Sequence, residues 1–162
     1  MHDATNGQFG VGAASWTNEA GTRAWILSHS ELDELRQRLK TLNGVDLVNA
    51  PGVTVADGTS ASVSVGQTHP PTFAFVGITV DVTPKIASHH FQLAMSAVCT
   101  ELNQSTATSP IRTNLSAACR VSLPNAGGIL IKGPDTRDKN ATNYWLILSP
   151  TAIDAYGKPI KL

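Results

Sequence analysis

The sequence predicts an α+β domain of mostly antiparallel β-sheet, with one amphipathic helix over about 28–43 packed on it. Three observations predict this class. Phe73–Ile86 alternates, with Val76, Ile78, Val80 and Val82 on one face and Gly77, Thr79, Asp81 and Thr83 on the other. A period of two with β-branched residues on the apolar face marks a half-buried strand. Leu32, Leu35, Leu39 and Leu42 recur at helical spacing and make one apolar stripe. From Val45 onward the apolar runs are short and bounded by Pro, Gly, Asn and Asp, the residues of turns.

At 162 residues the chain is long enough to bury a core without staples. We read residues 1–22 as a loosely ordered lead-in and 23–162 as a single β-rich domain. Charged residues make up only 15%, and 12 basic side chains balance 12 acidic ones. A neutral chain offers no electrostatic footprint for nucleic acid or an anionic membrane. No apolar run approaches the roughly 20 residues of a transmembrane helix. Met1–Thr5 shows neither a basic nor an apolar signal segment, so no signal peptide is expected there. That leaves a cytoplasmic protein or a piece of a longer exported chain.

In chain order, a strand is expected at Arg23–Leu27. Ser28-His29-Ser30-Glu31 then has capping-box spacing, a hydroxyl for the N3 amide and a carboxylate reaching back. Acidic residues open the helix, Arg36, Arg38 and Lys40 close it, and Asn43-Gly44 supplies a left-handed stop. Val45–Asn49 and Val53–Val55 read as short strands around Ala50-Pro51-Gly52. Asp57-Gly58 reads as a hairpin turn into a strand at Ser60–Gly66. The organising strand should stop at Pro84, or run past it only at a sheet edge, because proline cannot donate to a ladder. Phe91–Glu101 and Leu115–Leu123 alternate in turn and form a hairpin across the polar stretch 103–110. Gly127–Lys132 is a further strand, and 133–142 a loop. Tyr144–Ser149, apolar on both faces, is a well-buried strand.

The chemistry-bearing residues gather into no recognisable site, and no enzyme, cofactor or metal is expected. His89 and His90 are adjacent, so on a strand they point to opposite faces and chelate poorly. His69, with them, reads as a solvated loop histidine. Gly7, Gly10 and Gly12 lack dinucleotide-loop spacing. Asp81 stands on the polar face of its strand beside Thr79 and Thr83. An enzyme built from Asp81 and loop histidines is the weakest of the readings. Cys99 and Cys119 fall on the inner faces of the two hairpin strands. With a register centred near Ser109 they would be cross-strand neighbours, as two buried thiols or, in an exported protein, a disulfide.

Taken in order, several stretches resemble the C-terminal β-domain of bacterial secretins, the outer-membrane ring proteins of type II and III secretion and type IV pili. Leu39–Val53 is similar to that family's short helix followed by a strand and a Ser/Ala-Pro-x-Val turn. Asp57–Gly66 resembles its "A-x-I-x-V-G" strand, and Val76–Ile86 its "VGI-x-L-x-V-x-P-x-I" signature. Leu123–Leu130 resembles the "V-x-D-G…GGL" segment, and Leu146–Pro150 the "L-I-x-L-T-P" close. Only Gln67–Thr72 separates Gly66 from the organising strand, where secretins carry long gate and membrane-hairpin insertions. The resemblance therefore implies a reduced secretin-like module without gate or membrane hairpins. It would be non-enzymatic and work in assembly or binding in the periplasm or at the outer membrane. Its partners would be copies of itself or other envelope proteins, held through exposed strand edges. The alternative is a monomeric ligand-binding or scaffolding domain that shares the fold and forms no pore.

Overall fold

The computed structural model describes residues 15–43, 52–70, 73–102, 111–135, 143–160 and 162. The element order is β1 (Trp16–Thr17), β2 (Arg23–Leu27), α1 (His29–Thr41), β3 (Ala61–His69), β4 (Ala74–Ala87), β5 (His90–Leu102), β6 (Ile111–Pro124), β7 (Gly128–Lys132) and β8 (Trp145–Leu148). These make two antiparallel four-stranded sheets rather than one: β1-β2-β7-β8 and β3-β4-β5-β6. The class is α+β and mostly antiparallel, as the periodicities predict. The lead-in contributes a strand, because Trp16 and Thr17 pair with Ala24 and Arg23. The expected strand at Val45–Asn49, the turn over 103–110 and most of the loop over 133–142 lie outside the described residues.

The capping box forms as its spacing predicts. Ser28 Oγ accepts from the Glu31 amide (3.4 Å), and the Ser28 amide donates to Glu31 Oε2 (2.8 Å). Leu32 and Leu35 are fully buried, with Leu39 and Leu42 packed beside them. The helix closes at Leu42 in an extended conformation (φ −80°, ψ 129°); the left-handed stop expected at Asn43-Gly44 reaches residue 44, which lies outside the described residues. This face packs on Trp25, Leu27 and Leu130 of the short sheet. The other face of that sheet, with Ala24, Ile129, Ile131 and Leu146, packs on Phe91, Leu93, Met95, Ala97, Leu115, Ala117 and Leu123 of the long sheet. The result is three layers: helix, short sheet, long sheet. The tight run Gly128–Lys132 is buried throughout because it is the strand with layers on both sides.

Lys132 ends that run fully buried. Its stem lies along Trp145, with Nζ 5.4 Å from the ring centroid, and Trp145 stacks on Trp25 at 5.7 Å. Its ammonium pairs with Asp135, whose carboxylate also pairs with Arg23.

Two loop expectations need correction. Val53–Val55 forms no strand, so the Asp57-Gly58 turn joins no hairpin. The turn itself exists, closed by the Thr59 amide to the Ala56 carbonyl (3.0 Å) with Gly58 at φ +71°. It docks on β4 instead: the Gly58 amide donates to the Pro84 carbonyl (2.8 Å), and Asp57 Oδ1 accepts from the Ile86 amide (2.6 Å). That contact explains how β4 passes Pro84. β3 begins at Ala61 opposite Val82, so beyond it β4 pairs only with β5. The missing proline N–H therefore faces a local edge, where a ladder needs no donor.

Candidate functional site

The long sheet decides what the chemistry-bearing residues can do. Cys99 lies opposite Leu115, and Cys119 lies opposite Met95. The β5–β6 register runs from Cys99↔Leu115 to Met95↔Cys119 on one side of a bulge between Cys99 and Thr100, not as a register centred near Ser109 would have it. The two cysteines are thus four positions apart along β6, about 13 Å at strand spacing, well beyond a disulfide's reach of about 7 Å. Both are free thiols, Cys99 buried and Cys119 half-buried. Burial pushes both thiol pKa values up, with the Glu101 charge adding to it at Cys99. This is the environment of inert structural cysteines rather than of a nucleophile.

Asp81 stands exposed on the outer face, between Ser62 and Ser96 in register. With Ser60, Thr83 and Arg120 it borders an open depression of ≈ 720 Å³. Its neighbours spend their hydroxyls on one another, Ser64 with Thr79 (3.1 Å) and Ser60 with Thr83 (2.7 Å). His90 pairs with Ala87, six residues along β4 from Asp81, and His69 pairs with Ala74, seven residues the other way. The histidines and the carboxylate are therefore not brought together. Among the described residues no group of His, Cys, Asp or Glu gathers as a metal site. No described helix is long and apolar enough to cross a membrane.

The two outer edges of this sheet differ more than its faces do. β6 is covered over Asn114–Ser116 of its outer edge. Asn114 is the extra residue of the bulge, since Leu115 pairs with Cys99 and Thr113 with Thr100. The Ser116 carbonyl accepts from Asn18 Nδ2 (3.2 Å) and Thr22 Oγ1 (3.0 Å). Gly133 passes so close that a Cβ on it would stand 2.4 Å from the Asn114 carbonyl oxygen. Bulges and covering loops are the devices by which sheets close an edge.

β3 has none of these devices. Ala61–Thr68 pairs with β4 in an unbroken register, and no described strand pairs with its far side. The stretch contains no charged residue and no proline, the usual edge guards. Which backbone groups face outward follows from Pro84. Its carbonyl points to the β3 side of β4, where Gly58 takes it. Val82, Val80 and Ile78, at even steps from it, point the same way and bond Ala61, Val63 and Val65. The amides and carbonyls of Ser62, Ser64, Gly66 and Thr68 therefore face the open edge, because both groups of a strand residue point to one side. The inner-face side chains here, Val63 and Val65, are only half-buried.

The chain matches no protein-family model, no curated protein and no solved structure. Its candidate site is therefore this edge, defined by backbone groups. Sequence reasoning expected exposed edges but not which one. The signal that could have found it was the run of nine residues at 61–69 without a charge or a proline.

Proposed function

We propose that the protein is a non-enzymatic, secretin-like module that works by strand pairing in assembly or binding in the cell envelope. The observation that carries the reading is the uncharged edge of β3, which no described strand covers, at the opposite side of the sheet from a β6 covered at Asn114–Ser116. An edge of this kind adds a further strand through main-chain hydrogen bonds, with side-chain pockets of alternate residues giving choice of partner. The secretin-like motifs support the envelope setting: they fall in order on β3, β4, β7 and β8, and the "V-G" motif ends within β3 itself. The short link between β3 and β4 leaves no length for a gate.

Light scattering behind a sizing column, run across a concentration series, tests this. The expected result is a species heavier than the 17.1 kDa chain that falls back towards monomer mass with Ser62→Lys. A chain that stays monomeric at every concentration and captures no strand-forming peptide overturns the reading.

A further inference from the structure

Resting on that reading, we infer that the occupant of the β3 edge is the β3 strand of a second copy. Two chains pair antiparallel about a two-fold axis at Ser64, giving one eight-stranded sheet and a closed dimer.

The argument starts from the unlike edges. Head-to-tail pairing that extends the long sheet from copy to copy requires β6 of one copy to receive β3 of the next. On β6 the Ser116 carbonyl is already taken by Asn18 and Thr22, and the ladder is interrupted by the bulge at Asn114. An isologous contact uses β3 alone, so it asks nothing of the obstructed stretch of β6. Ala61–Thr68 carries no ionisable side chain, so two copies meet without like-charge repulsion.

The register follows from the two faces. A slip of one residue would turn the valines outward, so only pairings that keep the inner face inward are allowed. An axis at Ser64 puts Val63 opposite Val65 of the second copy, twice, with Ala61 opposite Gln67. Ser64 then meets Ser64, and Ser62 meets Gly66, in each case two residues whose backbone groups face the open edge. Those pairs exchange their amide–carbonyl bonds, and the Val63–Val65 pairs fall between them at non-hydrogen-bonded positions, where side chains approach most closely. Two half-buried valines from each copy, outside the inter-sheet core of the described residues, are covered together.

Three measurements test this on the full chain. Light scattering should give twice 17.1 kDa, and Ser64→Lys should halve that mass while far-UV circular dichroism keeps its β-sheet signature. Ser64→Cys should cross-link to a dimer on mild oxidation, because opposed Cα atoms at such a pair stand about 5.5 Å apart, within disulfide range. The wild type, carrying only Cys99 and Cys119, is the control and should not cross-link. A larger discrete oligomer that Ser64→Lys dissociates overturns the two-fold pairing and leaves the strand-edge reading standing. A monomer at all concentrations that nevertheless captures a foreign strand-forming peptide does the same. A monomer that captures none, or a dimer indifferent to Ser64→Lys, overturns both.

Discussion

Gly66 and Gly77 face each other across β3 and β4 with no room for a Cβ on either. A Cβ on Gly66 would stand 2.2 Å from the Val76 carbonyl oxygen, and one on Gly77 would stand 2.2 Å from the Val65 carbonyl oxygen. Gly77 also holds φ at +147°, where an L side chain is strained. Across the next ladder Thr100 stands at the bulge, and its Oγ1 accepts from the Gly77 amide (3.3 Å). A single line of special backbone thus crosses the sheet from the open edge inward. Gly77→Ala should cost about 2–4 kcal/mol, combining steric overlap with backbone strain. Gly66→Ala should cost less, since its φ is ordinary. Urea unfolding monitored by Trp fluorescence measures both; equal and negligible losses would show that the close approach is not real.

Asp135 is the shared counter-ion of a buried ammonium and a mostly buried guanidinium. Removing one partner of a buried ion pair typically costs about 3–5 kcal/mol. Asp135 is about half exposed (53%), so water screens it and the loss from Asp135→Ala should fall at or below the low end. Lys132→Met should cost less than Lys132→Ala, because the methionine keeps the packing on Trp145. Comparing the three unfolding midpoints orders the effects.

The Ser28–Glu31 box should be worth about 1 kcal/mol, read as the destabilisation by Ser28→Ala. The two hydrogen bonds that Ser28 donates to the Glu31 carboxylate, from its hydroxyl first and its amide second, hold that carboxyl below its ordinary 4.5. A carboxylate with a depressed folded pKa stabilises fully above the ordinary value and loses that contribution as pH falls through the folded one. Glu31→Gln should therefore flatten the acid limb of the stability profile below about pH 4.5 and change little at neutral pH.

At alkaline pH the opposite sign operates. Burial first, then the hydrogen bond to Glu101 Oε2 (2.7 Å), push the Tyr144 hydroxyl up from 10.0 to about 12. A folded state that holds its proton while the unfolded chain loses it becomes less stable as pH rises. Stability should decline between pH 10 and 12, and Tyr144→Phe should reduce that decline. The raised thiols add a shallower loss from about pH 9.

Without a disulfide, reductant should not shift the thermal midpoint. Two thiols should titrate on unfolding, with Cys119 reacting ahead of Cys99 in the folded protein. A midpoint that drops with reductant would contradict the register of β5 and β6.

Much of the fold was legible because local chemistry carried it. Ser28-x-x-Glu31 before a leucine stripe specifies a capped helix whatever lies around it. The alternation at 73–86, 91–101 and 115–123 specifies strands and the sides they bury. Pro84 was legible as a mark of an edge, since a missing donor has the same consequence in any sheet. The cysteine pairing was not legible. It depended on the hairpin register, including one bulge residue, Asn114, which puts Cys119 opposite Met95. The Asp57-Gly58 turn misled for a related reason: turn chemistry fixes a local bend but not what the bend docks against.

The sequence by itself determined one capped helix, a set of alternating strands, and a chain with no net charge to guide a charged partner. Those follow from interactions within a few residues and from the side-chain period. Only the tertiary structure decided that the strands divide into two sheets with the helix on the shorter one. It also decided that Cys99 and Cys119 stand apart, and that β6 is covered at Asn114–Ser116 while no described strand covers β3. Each of these turns on backbone groups meeting over long sequence separations, as when Asn18 and Thr22 reach Ser116 and Gly58 reaches Pro84, and side-chain periodicity holds no record of such meetings.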